Sequence, residues 1–373
     1  RRAKEEAAEA KRKAIANGRL RKKKPVETEE KKRIEDEKNR LIWPFLVQFV
    51  DDIKSGALKI GNDDYAPSTY KTWKMFIGVS EGFDPLHKFG WADIDRAFVS
   101  RYINYLQKHG YMAKVVNKHQ TNLKALINPT FIDGVHDNQR AATLIVKKKI
   151  EDRDKAVEIY LSEEELQALY EMPLTGKKEH IRDVFLIGCY TCQRVSDYNN
   201  LNAENFETTA KGTRITRLVQ QKTKTEVTIP ILSENLIAIC EKYGYNIPKA
   251  NEQVLNRYIK NILKELAEEV PSFKEKVPTK LTMKQKDAMR RDKIVPETDL
   301  NGNVIVPRYE CVTSHTAQRT GIANMYLSHK YTILQMMHVS SHKTQKTFMD
   351  YIKLSSEEIA NEIATMSKKE NDM

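Results

Sequence analysis

The chain has 373 residues and a formal net charge of +12, with hydrophobic residues at 40% and charged residues at 31%. That balance excludes a wholly disordered chain and leaves room for two ordinary domains, and the excess of positive charge favours a polyanionic partner through Coulomb attraction and counterion release. No run of about 18 apolar residues is present, no secretory signal opens the chain, and four scattered cysteines do not make a disulfide scaffold, so a cytoplasmic protein without membrane spans is expected. Arg1 rather than Met stands first, so a longer parent protein is expected. Cys189 and Cys192 form a C-x-x-C pair, but no second pair completes a four-ligand zinc site. They are read as two small buried residues on a helix, and no metal site is expected.

Residues 1–38 are rich in Ala, Glu, Lys and Arg without a sustained apolar stripe. They read as a charged helical linker, broken by the basic residues 21–24 and by Pro25, that serves as a solvated lead-in or touches the polyanion directly. Residues 39–145 carry four helical patterns: Leu41, Ile42, Phe45, Leu46, Phe49 and Val50; then Tyr70, Trp73, Phe76 and Val79 after Pro67-Ser68; then residues 94–107, stopping at His109-Gly110; then residues 112–127. This predicts a small all-α domain whose last helix presents Lys114, Lys118 and Lys124, as a phosphate-tracking surface does and as an ordinary solvated face also does. Residues 146–158, with the run Lys147-Lys148-Lys149, are expected to be a basic interdomain linker passing close to the polyanion.

The second domain, residues 159–373, opens on Leu161-Ser162-Glu163-Glu164-Glu165-Leu166, a capping box with a hydrophobic staple. A helix over 182–201 is predicted next, then a β-hairpin over 215–230 turning around residues 222–226. Helices over 234–243 and 252–270 follow, then a basic loop-like stretch over 274–293 and a second hairpin at Asn301-Gly302. Helices over 317–327, 333–338 and 344–352 and a last one behind Leu354-Ser355-Ser356-Glu357-Glu358-Ile359 complete a mainly α domain with small β-hairpins.

Four boxes in this domain carry chemistry. Tyr190-Thr191-Cys192-Gln193-Arg194-Val195-Ser196-Asp197 offers a permanently charged planar fork in Arg194. Gln221-Lys222-Thr223-Lys224-Thr225-Glu226-Val227-Thr228-Ile229-Pro230 puts two lysines in a hairpin turn. Ser314-His315-Thr316-Ala317-Gln318-Arg319-Thr320 starts a helix, and Ser341-His342-Lys343-Thr344 precedes Tyr351 by nine residues counted from His342. Taken singly, each is ordinary: a surface arginine, turn lysines, or one tyrosine among 16. In this order they resemble the catalytic domain of the tyrosine recombinase (phage integrase) family, over about residues 160–354. The helical domain before it resembles the family's core-binding domain, so the resemblance implies a two-domain DNA clamp.

The resemblance implies that Tyr351 attacks a scissile phosphate, leaving a 3′-phosphotyrosine and a free 5′ hydroxyl. Arg194 would clamp a non-bridging oxygen, Lys222 (with Lys224 second) would protonate the leaving oxygen, His315 would take part in removing the tyrosine proton, and His342 would hydrogen-bond the phosphate. Two departures stand out. Cys192 occupies a place where the family usually has Gly, and Gln318 stands where the family's His-x-x-Arg pattern has its second arginine. Arg319 does not simply replace it, since one helical step turns a side chain by about 100°. Gln318 is therefore read as an inactivating substitution, natural or engineered.

Bond energy is kept in the protein–DNA ester, and the chain lacks a P-loop lysine motif and a carboxylate cluster fit for two metals, so no cofactor is expected. The implied partners are double-stranded DNA and three further copies of the chain, a homotetramer on two duplexes. The tail, with Ile359, Ile363 and Met366 on one helix side, would be exchanged between protomers or dock on its own domain. A nucleoid-associated location follows. A type IB topoisomerase-like enzyme and a catalytically idle DNA-binding protein are the alternative readings. The DNA site, the kind of mobile element and any preceding arm-binding domain are not legible.

Overall fold

Apolar residues recurring every three or four positions build the first of two units, which lie within residues 1–154 and 155–373. The computed structural model describes residues 2–16, 41–60, 63–150, 158–349, 351, 352, 354, 359–361, 363 and 364. In the first unit, α1 (Arg2–Ala16) is a charged helix. The basic residues 21–24 lie outside the described residues. Helix α2 (Ile42–Ser55) buries Leu46, Val50 and Ile53 and ends at Gly56, whose φ of 78° suits the missing Cβ. A two-residue antiparallel pair, β1 (Lys59–Ile60) with β2 (Asp63–Asp64), leads to α3 (Pro67–Phe83), which has Pro in its first turn and buries Trp73, Phe76 and Val79.

Helix α4 (Arg96–Lys108) begins two residues later than its apolar pattern, because the Asp95 carboxylate accepts from the Phe98 amide at 2.6 Å and fixes the N-terminus there. Helix α5 (Ala113–Ile132) closes the domain. The half-buried Phe83 ring packs edge-on against Phe98 and Tyr102 of this core.

The second unit opens with the expected capping box: Ser162 Oγ accepts from the Glu165 amide and the Glu165 carboxylate accepts from the Ser162 amide, starting α6 (Glu163–Glu171). Helix α7 (Gly176–Thr191) starts six residues before the predicted helix and stops ten residues short of its predicted end. Cys192 adopts a left-handed conformation (φ 58°), which a right-handed helix cannot continue through. The one-turn helix α8 (Val195–Tyr198) restarts behind it with Arg194 at the N-cap.

Next comes an antiparallel sheet, β3 (Phe206–Thr208), β4 (Arg214–Val219) and β5 (Glu226–Pro230), in the order β3-β4-β5. Strands β4 and β5 are the predicted hairpin, pairing from Ile215 with Pro230 to Val219 with Glu226, and β3 is a strand that the sequence reading missed. Helices α9 (Glu234–Lys242) and α10 (Glu252–Leu266) follow.

The stretch read as a basic loop instead contains β6 (Lys276–Pro278) and α11 (Met283–Arg291), the latter started by a Thr282–Gln285 capping box. The turn at Asn301-Gly302 exists, with Thr298 bridging Val304. Strand β7 (Ile305–Pro307), however, pairs with β6 and not across that turn. Helix α12 (Ser314–Leu327) begins at the Thr313 cap, three residues before its predicted start, and α13 (Ile333–Ser340) ends at Ser341 with φ 56°. Helix α14 (Gln345–Met349) stops short of Tyr351, which lies in the turn beyond it.

Helix α12 crosses the end of α7 very closely. A Cβ on Gly321 would stand 2.0 Å from the Cys189 carbonyl oxygen and 2.6 Å from Cys192 Sγ. Both cysteines are buried here, with Cys192 Sγ 3.6 Å from Met325 Sδ, and Cys192 terminates the helix rather than lying within it. Residues 359–361, 363 and 364 are helical, whereas the predicted cap at 355–358 lies outside the described residues. No helix among the described residues is long and apolar enough to cross a membrane.

Candidate active site

Arg194 leaves the backbone at the α7–α8 break, half-buried, and its Nη1 donates to Gln220 Oε1 at 3.3 Å. Gln220 is fully buried just after β4. Its Nε2 donates to Gln193 Oε1 at 2.6 Å, and its Oε1 also accepts from the Thr223 hydroxyl at 2.8 Å. Gln193 in turn donates to the carbonyls of Thr191 and Val339 at 3.0 and 2.7 Å. Asp197 Oδ1 accepts from the Gln221 amide at 2.8 Å. Two buried amides and a carboxylate thus tie the arginine box to the β4–β5 turn and to the end of α13. Lys222 and Lys224 are both exposed on that turn, Lys224 with φ 54°.

The start of α12 is held as firmly. The Ser314 amide donates to Asn256 Oδ1 at 2.6 Å and its hydroxyl to Glu252 Oε1 at 2.7 Å, both partners on α10. His315, the next residue, is exposed, and its Nε2 lies 3.4 Å from the Tyr351 hydroxyl. The Tyr351 ring also meets the His342 ring edge-on, centroids 4.5 Å apart. His342 Nδ1 is 2.8 Å from Ser340 Oγ, and its Nε2 is buried without a partner. Phe348, fully buried, anchors the segment that carries Tyr351.

Electrostatics tie these groups together. Although its residue is solvent-accessible, the His315 imidazole is partly desolvated, which together with the positive charges of Arg319, Arg194 and Lys222 lowers it below its ordinary range, Glu158 acting oppositely. His342 is pushed down to about 4 by burial, then by Arg194 and by His315. The structure thus places His315 and His342 against Tyr351, while Arg194 and Lys222 lie near enough for their charges to act on His315. Among the described residues no cluster of three or more His, Cys, Asp or Glu is placed to hold a metal ion.

Gln318 behaves differently from its neighbours. It is fully buried, and neither Nε2 nor Oε1 has a partner. Leaving such an amide unsatisfied costs about 1–3 kcal/mol. Arg319, next to it, is 7% exposed. Its Nη2 is 3.3 Å from Glu158 Oε2, its Nη1 donates to the Ile159 carbonyl at 3.4 Å, and its Nε has no partner. Sequence reasoning set Arg319 aside and gave no role to Gln193, Gln220 or Ser340. Amides and hydroxyls in turns carry no compositional signal that separates a site wall from an ordinary loop.

In the first unit, Lys114, Lys118, Lys124 and Lys147 to Lys149 are all exposed. The Asn117 side chain donates to the Lys148 carbonyl at 2.7 Å and accepts from its amide at 3.0 Å, while Gln120 donates to the Val146 carbonyl at 3.1 Å. The triple-lysine run is thereby pinned along α5 beside Lys114 and Lys118, making one basic surface of two sequence segments.

Residues 46–150 match the family of phage integrase SAM-like domains. Among solved structures the chain is similar to a lambda integrase dimer bound to a COC′ core site, with 14% identity and a TM-score of 0.58 over 93% of this chain and 85% of that one. It is also similar to a lambda integrase tetramer bound to a Holliday junction (14% identity, TM-score 0.56, 89% and 86% covered). A third is the Tn1549 transposon integrase in complex with a circular intermediate DNA (11% identity, TM-score 0.55, 87% and 99% covered). No curated protein matches the sequence. At these identities the likeness shows a shared fold.

Proposed function

We propose, from the premise that this chain has the tyrosine recombinase fold, that it is a site-specific DNA strand transferase acting through Tyr351. The observation that carries the reading is the Tyr351 hydroxyl 3.4 Å from His315 Nε2 with the His342 ring against it. An unassisted phenol keeps its proton at neutral pH, so attack on phosphorus needs a base in contact. His315, lowered below the ordinary imidazole range, is neutral there and accepts it. The Tyr351 Oη–P bond forms as the P–O5′ bond breaks, and the Lys222 ammonium protonates the departing oxygen. Arg194 and His342 donate to the non-bridging oxygens. The phosphodiester energy stays in the tyrosyl ester for rejoining.

The basic surface of α5 and residues 147–149 suits the DNA backbone. The lambda integrase tetramer on a Holliday junction supports a four-protomer assembly on two duplexes. Ile359 and Ile363, 45% and 61% exposed, suit docking of the tail on another protomer, while Met366 lies outside the described residues.

A nicked suicide duplex tests the function. A covalent protein–DNA adduct that forms with the native chain and disappears in Tyr351→Phe marks a strand transferase, and no adduct from any variant marks a binder.

The uncharged, enclosed Gln318 favours a second reading, an idle DNA-binding protein. Gln318→Arg distinguishes the two. For a strand transferase, adduct formation is expected to rise about tenfold, equivalent to about 1.4 kcal/mol of barrier, whereas an idle binder gains nothing.

The acid limb is also fixed in sign. A base whose folded pKa is depressed stays neutral as pH falls through about 6.5 and protonates only below it. Adduct formation is expected to hold from pH 8 down to about 6.5 and to fall at lower pH. A decline already complete at pH 7 would assign the proton to another group.

A further inference from the structure

Within the proposed strand transferase, position 318 leaves the phosphate one cation short, and the nearest substitute stands one residue on. We propose that Arg319 is the second phosphate-binding cation of this site, held by Glu158 in the free protein and turned to the scissile phosphate when DNA occupies the site.

Helix geometry permits it. Relative to His315, a residue three positions on is displaced about 60° around the axis in one sense and a residue four positions on about 40° in the other. Arg319 is thus nearer the azimuth of His315 than Gln318 is, and its longer side chain covers the difference. Gln318 offers no alternative, since both its polar atoms are enclosed and uncharged.

Arg319 is poorly satisfied where it rests. Of its five N–H donors, one nitrogen meets a single Glu158 oxygen at 3.3 Å, another makes a long 3.4 Å bond to Ile159, and Nε meets nothing. A bidentate phosphate contact offers this fork more than it has. Its charge already reaches the reacting groups. After burial it is the foremost influence lowering His315, and the Tyr351 oxygen acts back on it.

Charge on the substrate separates this role from a structural one. Suicide duplexes carrying either the native phosphodiester or an uncharged methylphosphonate at the scissile position are incubated with the native chain and with Arg319→Ala, Glu158→Gln, Gln318→Arg and the Gln318→Arg/Arg319→Ala pair. Arg319→Ala is expected to slow adduct formation on the phosphodiester about 100-fold and to leave the methylphosphonate rate unchanged, because a neutral ester needs no second cation. Glu158→Gln, which keeps Arg319 and frees it from a competing carboxylate, is expected to accelerate the phosphodiester reaction. In the paired variant the arginine at 318 is expected to make loss of Arg319 tolerable.

Equal slowing on both substrates, no slowing, or a slower Glu158→Gln overturns the proposal. The Glu158→Gln arm decides if Arg319→Ala does not fold. Adducts from Gln318→Arg but none from the native chain also overturn it while leaving the strand-transfer function intact. Adducts from neither remove the function itself.

Discussion

Arg194→Ala is expected to slow formation of the covalent DNA adduct by about 10³-fold, the scale of losing a fixed donor to a developing oxyanion. One edge of the guanidinium is tethered to a locked partner. Its Nη1 meets Gln220, which is locked by Gln193 and Thr223, and Gln193 is locked by the carbonyls of Thr191 and Val339. On the proposed reading that tether presents the guanidinium to the phosphate, which is why the loss is expected to be large. Arg194→Lys is expected to recover little, because an ammonium cannot form the paired contacts of a planar fork. Single-turnover adduct rates check this, alongside DNA affinity, which the basic surface of the first unit keeps within a few-fold of native. A loss below about tenfold, 1.4 kcal/mol, would remove Arg194 from the reaction. The same variant relieves both histidines of a charge that lowers them, so the acid limb of the rate profile moves to higher pH.

Gly321→Ala is expected to destabilise the second unit by about 3 kcal/mol, the upper range for forcing one methyl into a packed interior. The added carbon would meet the Cys189 backbone oxygen at 2.0 Å and Cys192 Sγ at 2.6 Å. A backbone oxygen at a helix end cannot swing away as a side-chain tip can, so α12 must lift from α7. The lift carries His315 away from Arg194, so adduct formation falls together with stability. Thermal melting and adduct yield measured on the same preparation check the coupling. A protein of native stability with an alanine at 321 would mean that the two helices do not approach this closely.

Much of the architecture was legible because burial imposes periodicity. Leu46, Val50 and Ile53, or Trp73, Phe76 and Val79, face one core at helical spacing. The Ser162–Glu165 cap and the β4–β5 hairpin were equally plain, since each has a local chemical signature. The failures have local causes. Helix α7 begins in Gly176, Lys177, Lys178 and Glu179, a polar turn that apolar spacing cannot detect, and it ends at Cys192, a residue type that rarely adopts positive φ. Among the described side chains of helix α11 none is fully buried, so its lysines and arginines read as loop.

At the site, motif order singles out the charged and aromatic groups on which the proposed function rests. It does not single out the buried amides beside them, because Gln220 has no property in the sequence that distinguishes it from Gln221. Arg319 was set aside on the rotation of one helical step. The Glu158 contact on which the proposal for Arg319 draws is supplied by long-range folding and has no local signature.

The central claim is that one particular tyrosine attacks phosphorus. Trapping the native chain on a nicked duplex, digesting with trypsin and sequencing the DNA-linked peptide tests it most directly. The expected product is the peptide spanning residues 347–353 with the linkage on Tyr351. A linkage on any other of the 16 tyrosines, or on a serine, would contradict it.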